Sequence, residues 1–333
     1  MSRSALVPGP IDIHAHVVVP QLWARTRAQS IFTSPQEGLA SDPDSVAQRA
    51  ARETFVIGTM SDMGQRQANM DAMGIGVQVL SGSLVHQCTY FLPPQESLAL
   101  ERQSNDWIAD QMAQNPGRFL ALGTVPLHAP ELAAQELRRC MRELGFVGVN
   151  ISTRAGEWEI GQKPLWPFWE AAAQEGALVY IHPAGNHDAR FQRHFLWNSI
   201  GQSFEEAMAI ASLMYEGVLD AFSGVKICIS HGGGYMPLNM GRIDRNYLEK
   251  PATRKNMKRS PTEYLQSLWY DSCVYDSSVL RHLAEKVGVD RIVLGTDYPV
   301  GDRKPLAFIE AAGFSPVEIE GIMRANAERM IFS

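Results

Sequence analysis

The chain has 333 residues, and its 30 basic and 36 acidic side chains give a formal net charge of −6. This mild acidity argues against binding to nucleic acid or to an anionic membrane, because both require a surplus of basic side chains. A hydrophobic share of 45% with 20% charged residues is typical of a globular chain and argues against a disordered one.

The sequence has no run of about 18 apolar residues, the length that a membrane-spanning helix needs. At the N-terminus, Pro8 and Pro10 interrupt the only apolar run, so we expect no signal peptide. The four cysteines lie far apart and form no CxxC pair, which argues against disulfides. The sequence therefore predicts a cytoplasmic protein, in a reducing compartment.

Short apolar runs alternate along the chain with longer segments of helical periodicity. The predicted strands are residues 10–16, 76–81, 119–125, 146–152, 178–182, 225–231, 268–272 and 291–297. The predicted helices include residues 95–114, 130–144, 204–222 and 277–287. In the second of these helices, Leu137, Met141 and Leu144 recur at helical spacing.

This alternation predicts a parallel sheet, because a crossover must carry the chain back between parallel strands. Eight strand–helix units favour a single α/β domain over residues 1–333, a closed (β/α)8 TIM-type barrel. A doubly wound sheet is the alternative, since buried parallel strands have the same pattern in both folds. Residues 19–67 do not fit the alternation, and we expect a small irregular insertion there, after the first strand.

The first predicted strand carries two histidines, in the sequence Asp12-Ile-His14-Ala-His16. Side chains two residues apart on a strand point the same way, so both imidazoles face one side. Two adjacent imidazoles pack poorly but make good metal ligands, although the motif alone is weak evidence. Asp12 is in phase with both histidines, and we expect its carboxylate to orient a ligand imidazole through a hydrogen bond.

Three more predicted strands stop at an ionisable residue. His182 ends the fifth in the sequence YIHP, His231 ends the sixth in SHGGG, and Asp297 ends the eighth in GTDYP. The carboxyl ends of barrel strands converge on one face, where catalytic sites lie. Together with His14 and His16, these residues offer histidine and carboxylate ligands at one place, which is typical of a transition-metal site.

The four motifs DIHAH, YIHP, SHGGG and GTDYP resemble those of the amidohydrolase superfamily. More narrowly, they are similar to the branch that contains 2-amino-3-carboxymuconate-6-semialdehyde decarboxylase. The stretches MDAMGIGVQVLS (residues 70–81) and LMYEGVLDAF (residues 213–222) also resemble this branch, so the similarity covers most of the chain. Related aromatic-acid decarboxylases commonly carry a glutamate motif where this chain has His14-Ala-His16, and this favours the aminocarboxymuconate-semialdehyde type.

The resemblance implies a barrel with one divalent metal, usually zinc; manganese stays open, because nitrogen and oxygen ligands accept both. The residues that match the family's metal ligands are His14, His16, His182 and Asp297. His231 matches the residue that hydrogen-bonds the metal-bound water and moves protons, so it is the predicted catalytic residue. The fourth predicted strand has no lysine, which a second metal usually needs in this superfamily.

Two arginines extend the resemblance. Arg52 resembles the family arginine that grips a substrate carboxylate, and Arg242 resembles one that reaches into the neighbouring subunit's site. A planar guanidinium suits this role because it donates two parallel hydrogen bonds to a carboxylate. The resemblance therefore implies a small carboxylic-acid substrate and a homodimer.

The predicted function is metal-dependent decarboxylation, the release of CO2 from a small unsaturated or aromatic carboxylic acid. The alternative is a hydrolase or hydratase of the same superfamily that acts on a lactone, an amide or a C–C bond, because the same residues serve both reactions. A third hypothesis is a barrel that binds metal or ligand without turnover. His231 argues against it, since it adds a proton-transfer group to the ligand set.

Overall fold

The computed structural model of this chain describes residues 6–29, 43–186, 188–191 and 194–333. In these residues the main sheet has eight parallel strands, and all of them fall on the predicted apolar runs. The strands are β1 (Ile11–Val17), β2 (Val77–Gly82), β3 (Phe119–Thr124), β4 (Gly148–Ile151), β5 (Leu178–Ile181), β6 (Lys226–Ile229), β7 (Trp269–Asp271) and β8 (Ile292–Val293). A separate two-stranded ribbon pairs Arg154–Ala155 with Trp158–Glu159.

Neighbouring strands of the main sheet follow one another along the chain, in the order β1 to β8. A doubly wound sheet reverses its strand order at a switch point, so the sequential order excludes that alternative. The seam between β1 and the segment after β8 is closed by the backbone. Ile13 N–H donates to Leu294 O (2.9 Å), and His16 N–H donates to Tyr298 O (2.9 Å). The predicted (β/α)8 barrel is confirmed.

Helices connect the strands, and several begin with proline in the first turn, where its missing N–H would have no helical partner anyway. Their bounds are Pro20–Thr26, Pro43–Ser61, Met63–Met73, Leu84–Gln87, Pro94–Gln114, Pro130–Arg142, Trp166–Glu175, Ser203–Tyr215, Val218–Ala221, Met240–Glu249, Pro261–Leu265, Ser277–Val287, Pro305–Ala311, Pro316–Glu320 and Asn326–Phe332. The single helix predicted over residues 204–222 is wrong. Gly217 interrupts it, because its φ of 82° is left-handed and cannot continue a right-handed helix.

The segment predicted as an irregular insertion, residues 19–67, is largely helical where the structure describes it. Pro20–Thr26 and Pro43–Ser61 lie within it, and Met63–Met73 begins in it. The prediction of irregularity is wrong for these residues, because helix-start signals were missed: Asp62 caps the third helix by accepting the N–H of Gln65. Residues 30–42 lie outside the described residues. An insertion over the whole of residues 19–67 therefore stays a prediction, and so does the single domain over residues 1–333.

Apolar packing covers the barrel strands. Every strand residue of the main sheet except Lys226 is buried, as expected for a parallel sheet covered on both faces. One hydrophobic cluster joins strand residues such as Ile181 to helix residues such as Trp169, and a second joins Ile11 to Met330 of the last helix. No helix among the described residues has both the length and the apolarity to cross a membrane.

Candidate metal centre and active site

The carboxyl ends of four strands bring the predicted site residues together. His14 and His16 lie in β1, His182 follows β5, and Asp297 lies beyond β8. One ligating atom from each of these four buried residues lies within 4.8 Å of the other three. His231 lies beyond β6, and its ring centroid is 5.2 Å from that of His14. The structure therefore places all five predicted side chains in one cluster.

The ring nitrogens that face one another in this cluster are suited to a cation. His14 Nδ1 lies 2.7 Å from Asp271 Oδ2, its acceptor, so the lone pair of a neutral His14 is on Nε2. This Nε2 lies 3.2 Å from both His16 Nε2 and Asp297 Oδ1, and the two latter atoms are 3.1 Å apart. His182 Nδ1 donates to the next residue's carbonyl (2.9 Å), which frees its Nε2. This donor set fits one divalent metal.

Burial and neighbouring charges shift the pKa values in this cluster. Burial, with the other histidines adding to it, lowers the pKa of His182 well below its ordinary value, so this imidazole is neutral. Burial raises the pKa of Asp297, but His14 and its other imidazole partners hold that pKa well below the usual range. Burial lowers the pKa of His14, but the carboxylates of Asp297 and Asp271 outweigh it and raise the pKa to about 9. A cation bound here would displace that proton.

His231 is oriented by a buried carboxylate. Its Nδ1 donates to Glu206 Oε1 (2.5 Å), and the same oxygen accepts the hydroxyl of Ser230 (2.5 Å). Its Nε2 lies 3.9 Å from Asp297 Oδ2, beyond hydrogen-bond distance. Burial lowers the pKa of His231, but the Glu206 and Asp297 carboxylates outweigh it and raise the pKa well above its ordinary value. The raised pKa favours the protonated form of His231, which can give a proton to a substrate.

The glycine run after His231 allows His231 and Glu206 to lie close together. Gly234 has a left-handed φ of 58°, and a Cβ there would lie 2.2 Å from the carbonyl oxygen of Ser203 and 2.9 Å from Glu206 Oε2. Any side chain at this position would displace the helix that carries Glu206. The glycine therefore permits the close approach of backbone and carboxylate beside His231.

A cavity of about 580 Å³ borders His231 and Asp297. Segments that follow β5, β6 and β7 form its other walls, and these include Ser203, Leu238 and Tyr275. Its volume is in the range of small-molecule sites, about 300–1,000 Å³. The cluster of imidazoles and carboxylate thus lies against a cavity large enough for a small organic acid.

The match to known families is nearly as long as the chain: a family model described as Amidohydrolase matches residues 11–332. The chain belongs to the amidohydrolase family. The 2-amino-3-carboxymuconate-6-semialdehyde decarboxylase of Dictyostelium discoideum is 34% identical to this amidohydrolase over 273 residues, 80% of this chain and 75% of that protein. The gamma-resorcylate decarboxylase of Polaromonas sp. (strain JS666) is 33% identical over 248 residues, 69% of this chain and 75% of that protein.

Solved structures share the fold of this amidohydrolase. A dihydroxybenzoic acid decarboxylase from Polaromonas sp. JS666, with bound manganese and the inhibitor 2-nitroresorcinol, matches with a TM-score of 0.83 at 24% identity. The match covers 98% of this chain and 97% of that one. The curated relatives put this amidohydrolase in the decarboxylase branch, and it is an enzyme of the carboxy-lyase class.

Two buried carboxylates of the amidohydrolase site were missed by sequence analysis. Asp271 ends β7 and accepts from the hydroxyl of Tyr180 (2.7 Å) as well as from His14. The predicted strand 268–272 has Asp271 one residue before its end, so an ionisable residue near the end of a strand is the signal that could have found it. Glu206 lies on the helix Ser203–Tyr215 beside Glu205. No sequence signal separates these two glutamates, because only packing brings Glu206 to His231.

Asp12 does not orient a ligand imidazole, and that expectation is wrong. Its Oδ1 accepts the backbone N–H of His14 (3.1 Å) and of Thr296 (3.0 Å), and its Oδ2 accepts from Gln78 Nε2 (2.9 Å). The side chain therefore bonds the backbone of β1 rather than a ring. Asp271 orients the His14 imidazole in its place.

The structure tests the placement of one of the two predicted substrate arginines. Arg52 lies in the helix Pro43–Ser61, and its side chain falls outside the described residues. Arg242 lies in the helix Met240–Glu249 and is exposed, apart from the walls of the cavity. Both roles stay predictions, and the role of Arg242 requires a second chain.

Proposed function

We propose that this amidohydrolase releases CO2 from a small unsaturated or aromatic carboxylic acid with the help of one divalent metal. The observation that carries the proposal is the convergence of metal-ligand side chains beside a cavity that His231 also lines. Both curated relatives are decarboxylases, which supports the same reaction class here. The substrate would be a small organic acid, since the volume of the cavity is in the range of small-molecule sites.

The metal would be held by His14, His16, His182 and Asp297. When bound, it supplies a Lewis acid that polarises oxygen atoms of the substrate. Zinc is our proposal for its identity, because three imidazoles and one carboxylate are ordinary zinc ligands. The similar Polaromonas structure contains manganese, which the same ligand types accept. Elemental analysis of the purified protein by mass spectrometry separates the two metals.

His231 would supply the proton that replaces the carboxylate. Glu206 engages Nδ1, so Nε2 is the nitrogen left to face the cavity. The proton passes from Nε2 to the carbon that bears the carboxylate, and π electrons of the substrate form the new C–H bond. The electron pair of the C–C bond then restores the π system as CO2 leaves. The substrate has exchanged CO2 for one proton.

Arg52 and Arg242 would bind carboxylates of the substrate, with Arg242 acting in the site of a partner chain in a homodimer. An exposed apolar surface supports the homodimer. Ile200, Phe204 and Met208 are exposed at helical spacing, and Leu238 is exposed between them and Arg242 in the sequence. A group of exposed apolar side chains is typical of an interaction site.

Mixed dimers test whether Arg242 serves the partner's site. In a dimer of one His231→Ala chain and one Arg242→Ala chain, one site has both side chains intact. Random mixing of these two inactive homodimers should restore about a quarter of the wild-type activity, because half of the dimers then carry one working site. Mixtures that stay inactive after subunit exchange, or a chain that is monomeric by light scattering, would contradict this role.

A cytoplasmic location is the remaining part of the proposal. The described cysteines are Cys88, Cys140, Cys228 and Cys273, and all of them are free thiols. A reducing compartment keeps such thiols unpaired. Cell fractionation with antibodies to the chain tests this location.

The experiment that tests the reaction combines metal analysis with an assay of CO2. Purified protein is incubated with aminocarboxymuconate semialdehyde and with a panel of hydroxybenzoates, and released CO2 is measured. About one metal per chain together with CO2 release would establish the decarboxylase. Hydrolysis of lactones or amides without CO2 from any acid would overturn it in favour of a hydrolase. Absence of metal after reconstitution with zinc and manganese would overturn the site itself.

A further inference from the structure

Tyr275 combines a strained backbone with an exposed ring. It lies in the loop between β7 and the helix Ser277–Val287, and its φ of 56° is in the left-handed region. For any residue but glycine, and above all for a bulky one, this backbone conformation costs free energy. The residue is 59% exposed, so packing in the core does not offset the strain. Backbone strain of this kind persists only where surrounding contacts hold the residue in place. The contacts of the Tyr275 side chain therefore matter.

The hydroxyl of Tyr275 donates to Oδ2 of Asp297 at 3.2 Å. The other carboxylate oxygen, Oδ1, faces the histidines of β1, at 3.2 Å from His14 Nε2 and 3.1 Å from His16 Nε2. The two oxygens of Asp297 therefore have different partners. Oδ1 points at the imidazole nitrogens that would share a metal, and Oδ2 is held by tyrosine.

We propose that Tyr275 is a positioning residue of the metal centre, which holds Asp297 as a ligand through one oxygen. This inference rests on the proposed function. A carboxylate whose second oxygen accepts a hydroxyl would offer its first oxygen to a cation, and the hydroxyl would keep that first oxygen turned towards the histidines. The strained loop conformation is then the cost of bringing the hydroxyl to Asp297.

The oxygen of Asp297 that accepts from Tyr275 is also the one nearer to His231. His231 Nε2 lies 3.9 Å from Asp297 Oδ2, which is too long for a hydrogen bond. Tyr275, His231 and Asp297 all line the cavity, so a change at Tyr275 would act on the side of the metal centre that faces a bound substrate.

The test measures metal affinity, which requires no substrate. Apoprotein of the wild type and of the variants Tyr275→Phe and Tyr275→Asn is titrated with Zn2+ and with Mn2+ against a chromophoric chelator. Tyr275→Phe keeps the ring and removes the hydroxyl, so its metal dissociation constant should rise about tenfold or more. Tyr275→Asn should also weaken metal binding. Its apoprotein should nevertheless melt no lower than wild type, because asparagine tolerates the left-handed backbone.

A residue with a merely structural role would give the reverse pattern, a lower melting temperature of the Tyr275→Asn apoprotein with unchanged metal affinity. Tyr247→Phe is the matched control, since Tyr247 lies on the helix Met240–Glu249 away from the cavity. Wild-type metal affinity in Tyr275→Phe would overturn this inference and leave the proposed function standing. A wild-type protein that binds neither metal would overturn both.

Discussion

Asp12 and Thr296 are joined by two hydrogen bonds: the Thr296 N–H donates to Oδ1 (3.0 Å) and its hydroxyl donates to Oδ2 (2.7 Å). Asp12 lies in β1, and Thr296 directly precedes Asp297 in the sequence. These bonds therefore link the strand that carries two histidines of the cluster to the segment that carries its carboxylate. They strengthen the junction between β1 and the segment after β8. Among the described strands, β8 forms a ladder only with β7.

Replacement of Thr296 by valine removes one of these donors without changing the shape of the side chain. The free energy of unfolding should fall by about 1–2 kcal/mol, because a buried acceptor on Asp12 loses a hydrogen bond. Urea unfolding of the apoprotein measures this change. Thr296→Ser keeps the hydroxyl and is the control. Equal stability of the valine and serine variants would show that the hydroxyl contributes nothing to the seam.

His231→Ala should abolish most of the activity and leave the metal content unchanged. Loss of a general acid typically lowers the rate by about 10²–10⁴-fold, and His231 is outside the predicted ligand set. Steady-state CO2 release and elemental analysis measure the two quantities. His282→Ala, on a half-buried histidine of the helix Ser277–Val287, is the control. Unchanged turnover in His231→Ala would remove this residue from the mechanism.

Glu206→Gln should shift the pH dependence of kcat/KM. The Glu206 carboxylate raises the pKa of His231, so a neutral amide there should lower that pKa. A general acid works in its protonated form, and activity falls as the pH rises through its pKa. The alkaline fall of activity should therefore move to lower pH in Glu206→Gln. Glu206→Asp keeps a carboxylate, so its pH profile should lie closer to that of wild type. Identical profiles in all three proteins would contradict the effect of Glu206 on the pKa of His231.

Glu101→Gln should make the stability of the fold less dependent on pH. Burial raises the pKa of Glu101 from 4.5 to about 7, while hydrogen bonds from Thr124 and Thr89 partly oppose it. The folded state then binds the proton more tightly than the unfolded state, so stability falls as the pH rises from about 4.5 to about 7. At pH 8 the glutamine variant should be more stable than wild type by up to about 3 kcal/mol.

Urea unfolding of both proteins at pH 5 and pH 8 measures this difference. Glu157→Gln is the control, because Glu157 is exposed in the turn of the small ribbon. A Glu101→Gln protein that loses as much stability between the two pH values as wild type would contradict the assignment.

The strands and the histidine cluster could be predicted because both depend on local sequence. A buried parallel strand is a short apolar run, and in a barrel the residue that follows it lies on the functional face, as for His182 and Asp297. Glu206 could not be predicted, since its role depends on how one helix packs against β6. The break at Gly217 was missed for a different reason: glycine within a helical pattern is common, and only its φ shows the interruption.

The closing seam also fixes when the site can form. Asp12 and Thr296 are separated by 284 residues, so the histidines of β1 emerge from the ribosome long before the carboxylate of Asp297. Contacts between the two ends of a chain form only after nearly all of it has been made and the loop-closure entropy has been overcome. A metal held across this seam would then be acquired late, and it would stabilise the joined ends rather than any partly synthesised barrel.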